Sequence, residues 1–358
     1  MRHTLTPLLV LIAAVTAPML SSCLKTQPPP VVANVEDPQL TAFLSALPES
    51  LRSPIQQNPL VHRPLAVSNG EDGFFRGISY GPFRQGQAPG GPNPSREQIT
   101  EDLELLAPDW DAIRVYSSRH PTDTILSVIE EKDLPLKVML GAWIAPDAPD
   151  ENAAEVAEAV RLANAHPGVV AAVSVGNESQ VDWSGHRSSP LVLEAALRVV
   201  RGAIAQPVST ADDYNFWNKP HSHDIADEVD FLVLHAYAMW NGRSLDDAVS
   251  WTADTVAAIK AEHPSLDIVI GETGWATGLN PEGDEVKHIL APAGEAEQAR
   301  FYAEFMGWTA EARQPFFYFE AFDEPWKGSA DPREVEKHWG LYWVDRTPKS
   351  ALSGEVVP

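Results

Sequence analysis

Eight short apolar runs alternate with longer segments of helical periodicity, and this alternation constrains the fold more than any other feature of the chain. The runs lie at residues 77–80, 112–116, 136–141, 169–175, 207–210, 231–234, 266–271 and 316–319. Runs that are apolar throughout are typical of strands buried on both faces, and strands joined through helices pair in parallel. No glycine-rich phosphate-binding fingerprint follows the first run, which disfavours an open doubly wound sheet. The sequence therefore predicts an α/β fold, a single (β/α)8 TIM barrel.

The amino-terminal segment differs in character from the barrel segment. Residues 5–20 are apolar, contain two prolines and are short for a membrane span, which indicates a secretory signal. They lead into LSSC at residues 20–23, which resembles a bacterial lipobox, and Cys23 is the single cysteine of the chain. Prolines then recur between residues 28 and 64, as in a semi-extended tether, although residues 40–47 could form a short helix packed on the domain.

These features predict three regions in the chain. They are a lipoprotein signal peptide at residues 1–22, a proline-rich tether or N-terminal extension at 23–72, and the barrel domain at 73–358. Lipidation at Cys23 would anchor an exported protein to the bacterial cell envelope, facing the periplasm or the exterior. A plain signal peptide with an incidental cysteine is the alternative, and the membrane that would carry the anchor stays open.

The charge balance narrows the classes of partner. The chain has 50 acidic and 26 basic residues, a formal net charge of −24. Binding phosphates requires clustered lysine and arginine, so nucleic acid and direct docking on anionic lipid are disfavoured. A single cysteine excludes an intramolecular disulfide and a cysteine-based metal site. We predict a monomer without a cofactor or a metal, and we expect the acidic and histidine-containing stretch at 212–224 to be a loop.

Two of the apolar runs end in a glutamate. VSVGNE at 173–178 ends in Glu178, and IVIGETGW at 268–275 contains Glu272. The carboxyl ends of the strands in a barrel meet at one mouth, where active sites lie. A carboxylate pair about 5–5.5 Å apart at that mouth is what a retaining glycosidase requires. A helix cap or a salt bridge is the structural alternative for either glutamate taken alone.

Aromatic and polar side chains follow the other predicted strands as well. They are Tyr80, Arg114, Tyr116, Trp143, Asn177, Asp212, Asp213, His235, Tyr237, Trp275, Glu320, Asp323, Glu324, Trp326 and Lys327. Aromatic rings beside a carboxylate pair predict a carbohydrate-binding cleft, because ring faces stack on sugars. The tryptophans could instead be core residues, Arg114 a structural ion pair and His235 a satisfied core histidine.

Five motifs at successive strand ends resemble the bacterial branch of glycoside hydrolase family 17. They are GISYGPF at 77–83, IRVY at 113–116, VGNE at 175–178, GETGW at 271–275 and FEAFDEPWK at 319–327. The resemblance extends over about residues 73–345. It implies a β-1,3-glucanase or a related glucosyltransferase, within a clan of barrel-fold retaining glycosidases.

The resemblance implies a role for each glutamate. Glu178 matches the acid/base and Glu272 the nucleophile of the family. The two must differ in protonation, so we expect Arg114 or Tyr237 to donate to Glu272 and keep it ionised. Glu178 needs an apolar or carboxylate-flanked setting that raises its pKa.

Further residues are expected to bind the substrate or to orient the catalytic pair. They are Tyr80, Arg114, Tyr116, Asn177, Tyr237, Trp275, Glu320, Trp326 and Lys327. Asn177 would bind the sugar 2-hydroxyl, and Glu320 with Lys327 would orient the acid/base or a hydroxyl. Trp143 is a further candidate for sugar stacking, with simple packing as the alternative.

The predicted function is hydrolysis of β-1,3-glucan, as polysaccharide or oligosaccharide, by double displacement. A glucanosyltransferase that uses the same two glutamates is the first alternative. A non-catalytic glycan-binding lipoprotein is the second, and the presence of both glutamates argues against it. Endo or exo action stays open.

Overall fold

Eight parallel strands close into a barrel in the computed structural model, which describes residues 37–52, 61–67 and 73–353. The strands are β1 Arg76–Ser79, β2 Ala112–Arg114, β3 Lys137–Ala142, β4 Val170–Asn177, β5 Val208–Asp213, β6 Leu232–His235, β7 Ile268–Glu272 and β8 Phe316–Tyr318. They pair in sequence order, and β8 pairs with β1 to close the sheet. The predicted TIM barrel is confirmed. Cys23, the signal segment and part of the tether lie outside the described residues.

Helices surround the barrel. They are α1 Pro38–Ala46, α2 Arg96–Leu106, α3 Thr122–Glu131, α4 Pro149–Ala165, α5 Pro190–Ala203, α6 Tyr214–Trp217, α7 Ser222–Ala226, α8 Leu245–Glu262, α9 Glu295–Ala312 and α10 Ser350–Ser353. A capping box opens α2: the Ser95 hydroxyl accepts from the Gln98 backbone N–H, and the Gln98 side-chain oxygen accepts from the Ser95 backbone N–H. No helix in the described ranges combines the length and apolarity that crossing a membrane requires.

Alternate strand residues build two apolar layers. Small and branched side chains such as Ala172, Val233 and Val269 fill the inside of the barrel, and a larger cluster fills the space between the strands and the helices. Val67 joins the inner cluster, and the Arg63 guanidinium donates to backbone carbonyls before β5. The segment 61–67 therefore covers the end of the barrel opposite the carboxyl ends of the strands.

Helix α1 belongs to the predicted N-terminal extension and packs on α4 and α5. Phe43 and Leu47 are fully buried in this contact. The Asp37 carboxylate caps α1 and also accepts a hydrogen bond from the Ser189 hydroxyl at 2.6 Å, directly before α5. The extension thus contributes packed structure, and the domain boundary at residue 73 stays a prediction.

The Asp102 carboxylate connects three segments near the mouth of the barrel. It accepts hydrogen bonds from the Tyr80 hydroxyl at 3.2 Å, from Arg84 at 2.9 Å and from Arg346 at 2.8 Å. Asp102 has no exposed surface, so its buried charge is balanced by the two guanidinium groups that donate to it. Tyr80 therefore serves as part of the scaffold under the mouth.

We expect Asp102→Ala to lower the free energy of unfolding by about 3–5 kcal/mol, because it leaves two guanidinium groups without their shared carboxylate. Urea denaturation monitored by tryptophan fluorescence measures this change. Glu101→Ala is the matched control, since Glu101 pairs with the same Arg84 from an exposed position. It should cost less than about 1 kcal/mol. Equal losses in the two variants would contradict the assignment.

Candidate active site

The end of β4 bends sharply to present Asn177 and Glu178. Gly176 has φ +79° and Glu178 has φ +47°, and the pairing of β4 with β5 shifts register between Ser174 and Asn177. A side chain at Gly176 would be strained at this φ and would press on Ser179 and Leu193, so this position favours glycine. A left-handed glutamate costs of order 1–3 kcal/mol, as is common where a functional group must be aimed.

Glu272, at the end of β7, is held by three donors. Its Oε1 accepts from Arg114 Nη1 at 2.7 Å and from the Tyr116 hydroxyl at 2.9 Å, and its Oε2 accepts from the Tyr237 hydroxyl at 2.7 Å. Burial by itself would raise the pKa of Glu272. The charge that His235 carries when its ring is protonated, the permanent charge of Arg114 and the two tyrosine hydrogen bonds outweigh burial and lower that pKa. Arg114 supplies the permanent charge, and Glu272 is ionised at neutral pH.

Glu178 has the opposite environment. Burial, followed by the negative charge of Glu272, raises the pKa of Glu178 to about 8. Among the donors of the described residues, only His235 approaches its carboxyl, with Nδ1 at 3.0 Å from Oε1. Glu178 therefore holds a proton at neutral pH while Glu272 does not.

His235 joins the two glutamates, a role that the sequence left undecided. Its ring is fully buried, and burial lowers the pKa of His235 to about 4, so the imidazole is neutral. Nε2 lies 3.1 Å from Arg114 Nη1. Because a guanidinium only donates, Nε2 must accept and Nδ1–H must donate to Oε1 of Glu178. Oε2 of Glu178 is then the oxygen that can carry a transferable proton.

One oxygen of Glu178 and one of Glu272 lie within 4.8 Å of each other and of a nitrogen of His235. This is the separation of a retaining pair, well short of the roughly 6.5–9.5 Å that leaves room for a water in an inverting enzyme. By distance alone the three groups could also ligate a metal. The Arg114 guanidinium, 2.7 Å from Glu272, already supplies the positive charge there and would repel a cation. The expectation of a site without metal or cofactor stays a prediction.

Asn177 is oriented by the same arginine. Arg114 Nη2 donates to Asn177 Oδ1 at 2.6 Å. The amide oxygen is therefore occupied, and the amide nitrogen is the group that can donate to a ligand. Arg114 and Tyr237 both donate to Glu272, as we expected of one or the other, and Tyr116 donates to it as well.

The segment after β8 places a lysine between two buried carboxylates. Lys327 Nζ lies 2.7 Å from Glu320 and 2.7 Å from Glu324, and it faces the ring of Phe319 at 4.4 Å. Burial alone would lower the pKa of Lys327, but the two carboxylates raise it well above its ordinary value. Trp326, the residue directly before Lys327, is 38% exposed and offers ring surface to the cleft.

Two expected substrate contacts are corrected by the structure. Tyr80 is 1% exposed because its hydroxyl is turned to Asp102. Trp275 has no exposed surface; its Nε1 donates to the Pro292 carbonyl at 3.0 Å and its ring packs on Phe301. Both residues lie one layer behind the mouth and have no face on which a sugar could stack.

Glu336 is an acidic group of the site that the sequence reasoning missed. It lies in the 3-10 turn Val335–Lys337, far along the segment after β8. Burial raises the pKa of Glu336 to about 7, and the charges of Glu178 and Glu272 act on it in the same direction. The pattern of predicted strands locates only residues that directly follow a strand, so it could not identify Glu336.

Aromatic side chains are also present on the Glu178 side of the mouth. Trp143, after β3, meets His186 edge-on with ring centroids 4.9 Å apart. Trp183, five residues after Glu178, is 60% exposed. The loops after β3 and β4 thus present aromatic surface on the side of the proton-bearing carboxyl.

Comparisons with known proteins agree with this geometry. The family model described as BtgE/BtgC glycoside hydrolase domain matches residues 77–340. A protein named glucan 1,3-beta-glucosidase from Arthroderma benhamiae is 30% identical over 307 residues, covering 80% of this chain and 92% of that protein. A protein of the same name from Schizosaccharomyces pombe is 28% identical, covering 70% and 79% of the two chains.

Solved structures give the same result for the fold. An endo-laminarinase from Formosa superposes with a TM-score of 0.67 at 27% identity, covering 78% of this chain and 85% of that chain. A glycoside hydrolase family 17 β-1,3-glucanosyltransferase from Rhizomucor miehei gives a TM-score of 0.64 at 23% identity, covering 77% and 96%. At that identity the second likeness concerns the fold alone.

Proposed function

This chain belongs to the BtgE/BtgC glycoside hydrolase family, and from that membership we propose that it hydrolyses β-1,3-glucan with retention of configuration. The observation that carries the proposal is the unequal carboxyl pair: Glu178 is protonated and Glu272 is ionised within 4.8 Å. A protein that only binds glycan has no use for this inequality. The glucan-active relatives from Arthroderma benhamiae and Formosa support the choice of substrate.

The unequal carboxyl pair supports a separate role for each glutamate in the two steps of the reaction. Glu272 attacks the anomeric carbon, and Glu178 gives its proton to the departing glycosidic oxygen. Water then attacks the glycosyl-enzyme while Glu178, now ionised, takes the proton. Arg114 and the two tyrosines hold Glu272 in place throughout.

We expect kcat/KM to decline as pH rises through about 8, because Glu178 loses the proton that it must donate. It should also decline at low pH, as Glu272 takes a proton and can no longer attack. Because the pKa of Glu272 is lowered, this acid limb should lie at a pH below the ordinary pKa of a carboxyl group. Initial rates on a laminari-oligosaccharide across the pH range measure both limbs. An alkaline limb at the ordinary carboxyl pKa would contradict the raised pKa of Glu178.

Transfer to a second sugar is the other candidate outcome of the same chemistry. The exposed Trp183 and the Trp143–His186 pair favour it, since an acceptor must bind on the side of Glu178. Length-resolved products from linear β-1,3-glucan oligosaccharides test both functions. Only shorter products mean hydrolysis, chains longer than the substrate mean transfer, and no product at all would refute the proposed function. A ladder or a single small sugar separates endo from exo action.

The cellular setting is a further part of the proposal. We infer an exported monomer of the bacterial branch of family 17, lipidated at Cys23, supported by the lipobox-like sequence at residues 20–23. Cys23→Ser should then move the protein from the membrane fraction to the soluble fraction of a bacterial host. An unchanged distribution would refute lipidation, and a dimer in size-exclusion chromatography would refute the monomer.

A further inference from the structure

Helix α1 bonds at its N-terminal end to two loops of the active-site mouth. The Asp37 carboxylate accepts a hydrogen bond at 2.6 Å from the hydroxyl of Ser189, the last residue of the loop after β4. The side-chain amide of Gln39 donates to the carboxylate of Asp147, in the loop after β3. Both loops lie at the mouth of the barrel, because each follows the carboxyl end of a strand. One short helix therefore joins two neighbouring loops.

Packing fixes α1 against the helices that these loops lead into. It packs on α4, which follows the loop after β3, and on α5, which follows the loop after β4. Phe43 and Leu47 are its fully buried side chains in this contact. Oδ1 of Asp37 accepts from the backbone N–H groups of Gln39 and Leu40, which caps the helix. Packing and capping therefore set the position of α1, and its two bonds to the loops are additional to both.

Hydrogen bonds make each of the two loops a compact unit. In the loop after β3, the N–H of Ala145 donates to the Asn152 side chain of α4 at 2.8 Å, and that side chain donates to the Ala145 carbonyl at 2.9 Å. The loop after β4 is closed at its base by a 3.0 Å bond from the Ser188 N–H to the Ser179 carbonyl. A shift at the outer end of either loop should therefore also move the aromatic side chains that the loop carries.

The same two loops meet again through their aromatic rings. Trp143, the first residue after β3, contacts His186 of the loop after β4 edge-on, with ring centroids 4.9 Å apart. Trp183 lies three residues before His186 and is 60% exposed. These rings are on the side of Glu178, the carboxyl that protonates the departing sugar. The two loops are thus joined twice, by the aromatic contact and by α1.

We propose that α1 is a positioning element for the acceptor side of the cleft. Asp37 and Gln39 hold the loops after β3 and β4 at the spacing at which their aromatic rings bind the sugar chain beyond the cleaved bond. Helix α1 precedes residues 77–340, which the family model matches, so family membership does not account for this role. The inference rests on the proposed function, because it requires a glucan chain in the cleft.

A double variant that breaks both bonds tests the proposal. Gln39→Glu places a second carboxylate against Asp147, and an acid in the first turn of α1 suits the helix dipole. Ser189→Ala removes the donor to Asp37 without weakening α5, because the Ser189 hydroxyl does not cap that helix. We expect the double variant to lose about 3–10-fold in kcat/KM on a laminari-oligosaccharide, mostly through KM. On an aryl β-glycoside, which has no sugar beyond the cleaved bond, kcat/KM should stay within about twofold of the parent.

Asp147→Asn, added to the double variant, should restore one of the two bonds. The amide that it introduces donates to the carboxylate that Gln39→Glu introduces, so donor and acceptor are exchanged. kcat/KM on the oligosaccharide should then return to the value of Ser189→Ala alone. Thr41→Glu is the charge-matched control, because Thr41 is exposed on the opposite face of α1. This control should behave as the parent does on both substrates.

The ratio of kcat/KM on the two substrates does not depend on how much of the enzyme is folded, so a merely structural effect would leave it unchanged. Equal losses on both substrates, no loss in the double variant, or no recovery with Asp147→Asn would overturn the proposal. An equal loss in Thr41→Glu would overturn it as well. A parent that acts on neither substrate would instead refute the proposed function, and the positioning role with it.

Discussion

Glu272→Ala is expected to lower kcat/KM for β-1,3-glucan by about 10⁴–10⁶-fold, the size of loss seen when a covalent nucleophile is removed. The variant keeps Arg114, Tyr116 and Tyr237, three donors that converge on the lost carboxylate. Without an anion among them, no covalent intermediate forms. The measurement is release of reducing ends from a laminari-oligosaccharide.

The vacated space gives this variant a specific rescue. Azide is a small anion that fits the site of the carboxylate and is attracted by the Arg114 guanidinium. With an aryl β-glycoside as donor it should attack from the nucleophile's side and give the α-glycosyl azide, with inverted configuration. Glu272→Gln, which keeps the side-chain volume, is the control and should be inactive without rescue. A β-glycosyl azide, or near-parental hydrolysis by Glu272→Ala, would contradict the assignment of the nucleophile.

Local sequence was sufficient to predict the barrel and the two glutamates. Strands with both faces buried are continuous apolar runs, and a polar residue directly after such a run must lie at the mouth. Glu178 and Glu272 are placed by this logic alone. The helix after β3 begins at Pro149, because proline suits the first helical turn.

The same logic gives the position of a residue but not the layer in which its side chain lies. Tyr80 and Trp275 both follow strands, yet their partners, Asp102 and Pro292, come from other parts of the chain. Buried partners of this kind leave no trace in the local pattern. Only the fold determines whether a side chain at the mouth faces the cleft or the layer behind it.

The role of a residue that contacts several strands at once also could not be predicted from the sequence. The function of His235 depends on Arg114 from β2, Glu178 after β4 and Glu272 from β7. None of these is near it in the chain. Glu336 reaches the site from the long segment after β8. The sequence of this segment has no helical or strand periodicity from which its path could be predicted.

Glu178→Ala is expected to have an effect that depends on the leaving group. On β-1,3-glucan, where the departing alkoxide needs a proton, kcat/KM should fall by about 10²–10⁴-fold. On an aryl β-glycoside with an acidic phenol as leaving group, formation of the glycosyl-enzyme needs little proton donation and should be far less affected. The alkaline limb near pH 8 should disappear, since the group that titrates there is gone.

Azide then separates the two glutamates by stereochemistry. In Glu178→Ala the nucleophile is intact, so azide should attack the glycosyl-enzyme from the opposite face and give the β-glycosyl azide, with retained configuration. Glu178→Gln is the matched control, because its amide can still accept from His235 Nδ1 but has no proton to donate. Equal losses on glucan and on the aryl glycoside, or an α-glycosyl azide, would mean that Glu178 is not the proton donor. The opposite azide products of Glu178→Ala and Glu272→Ala therefore assign both roles independently of the size of either loss.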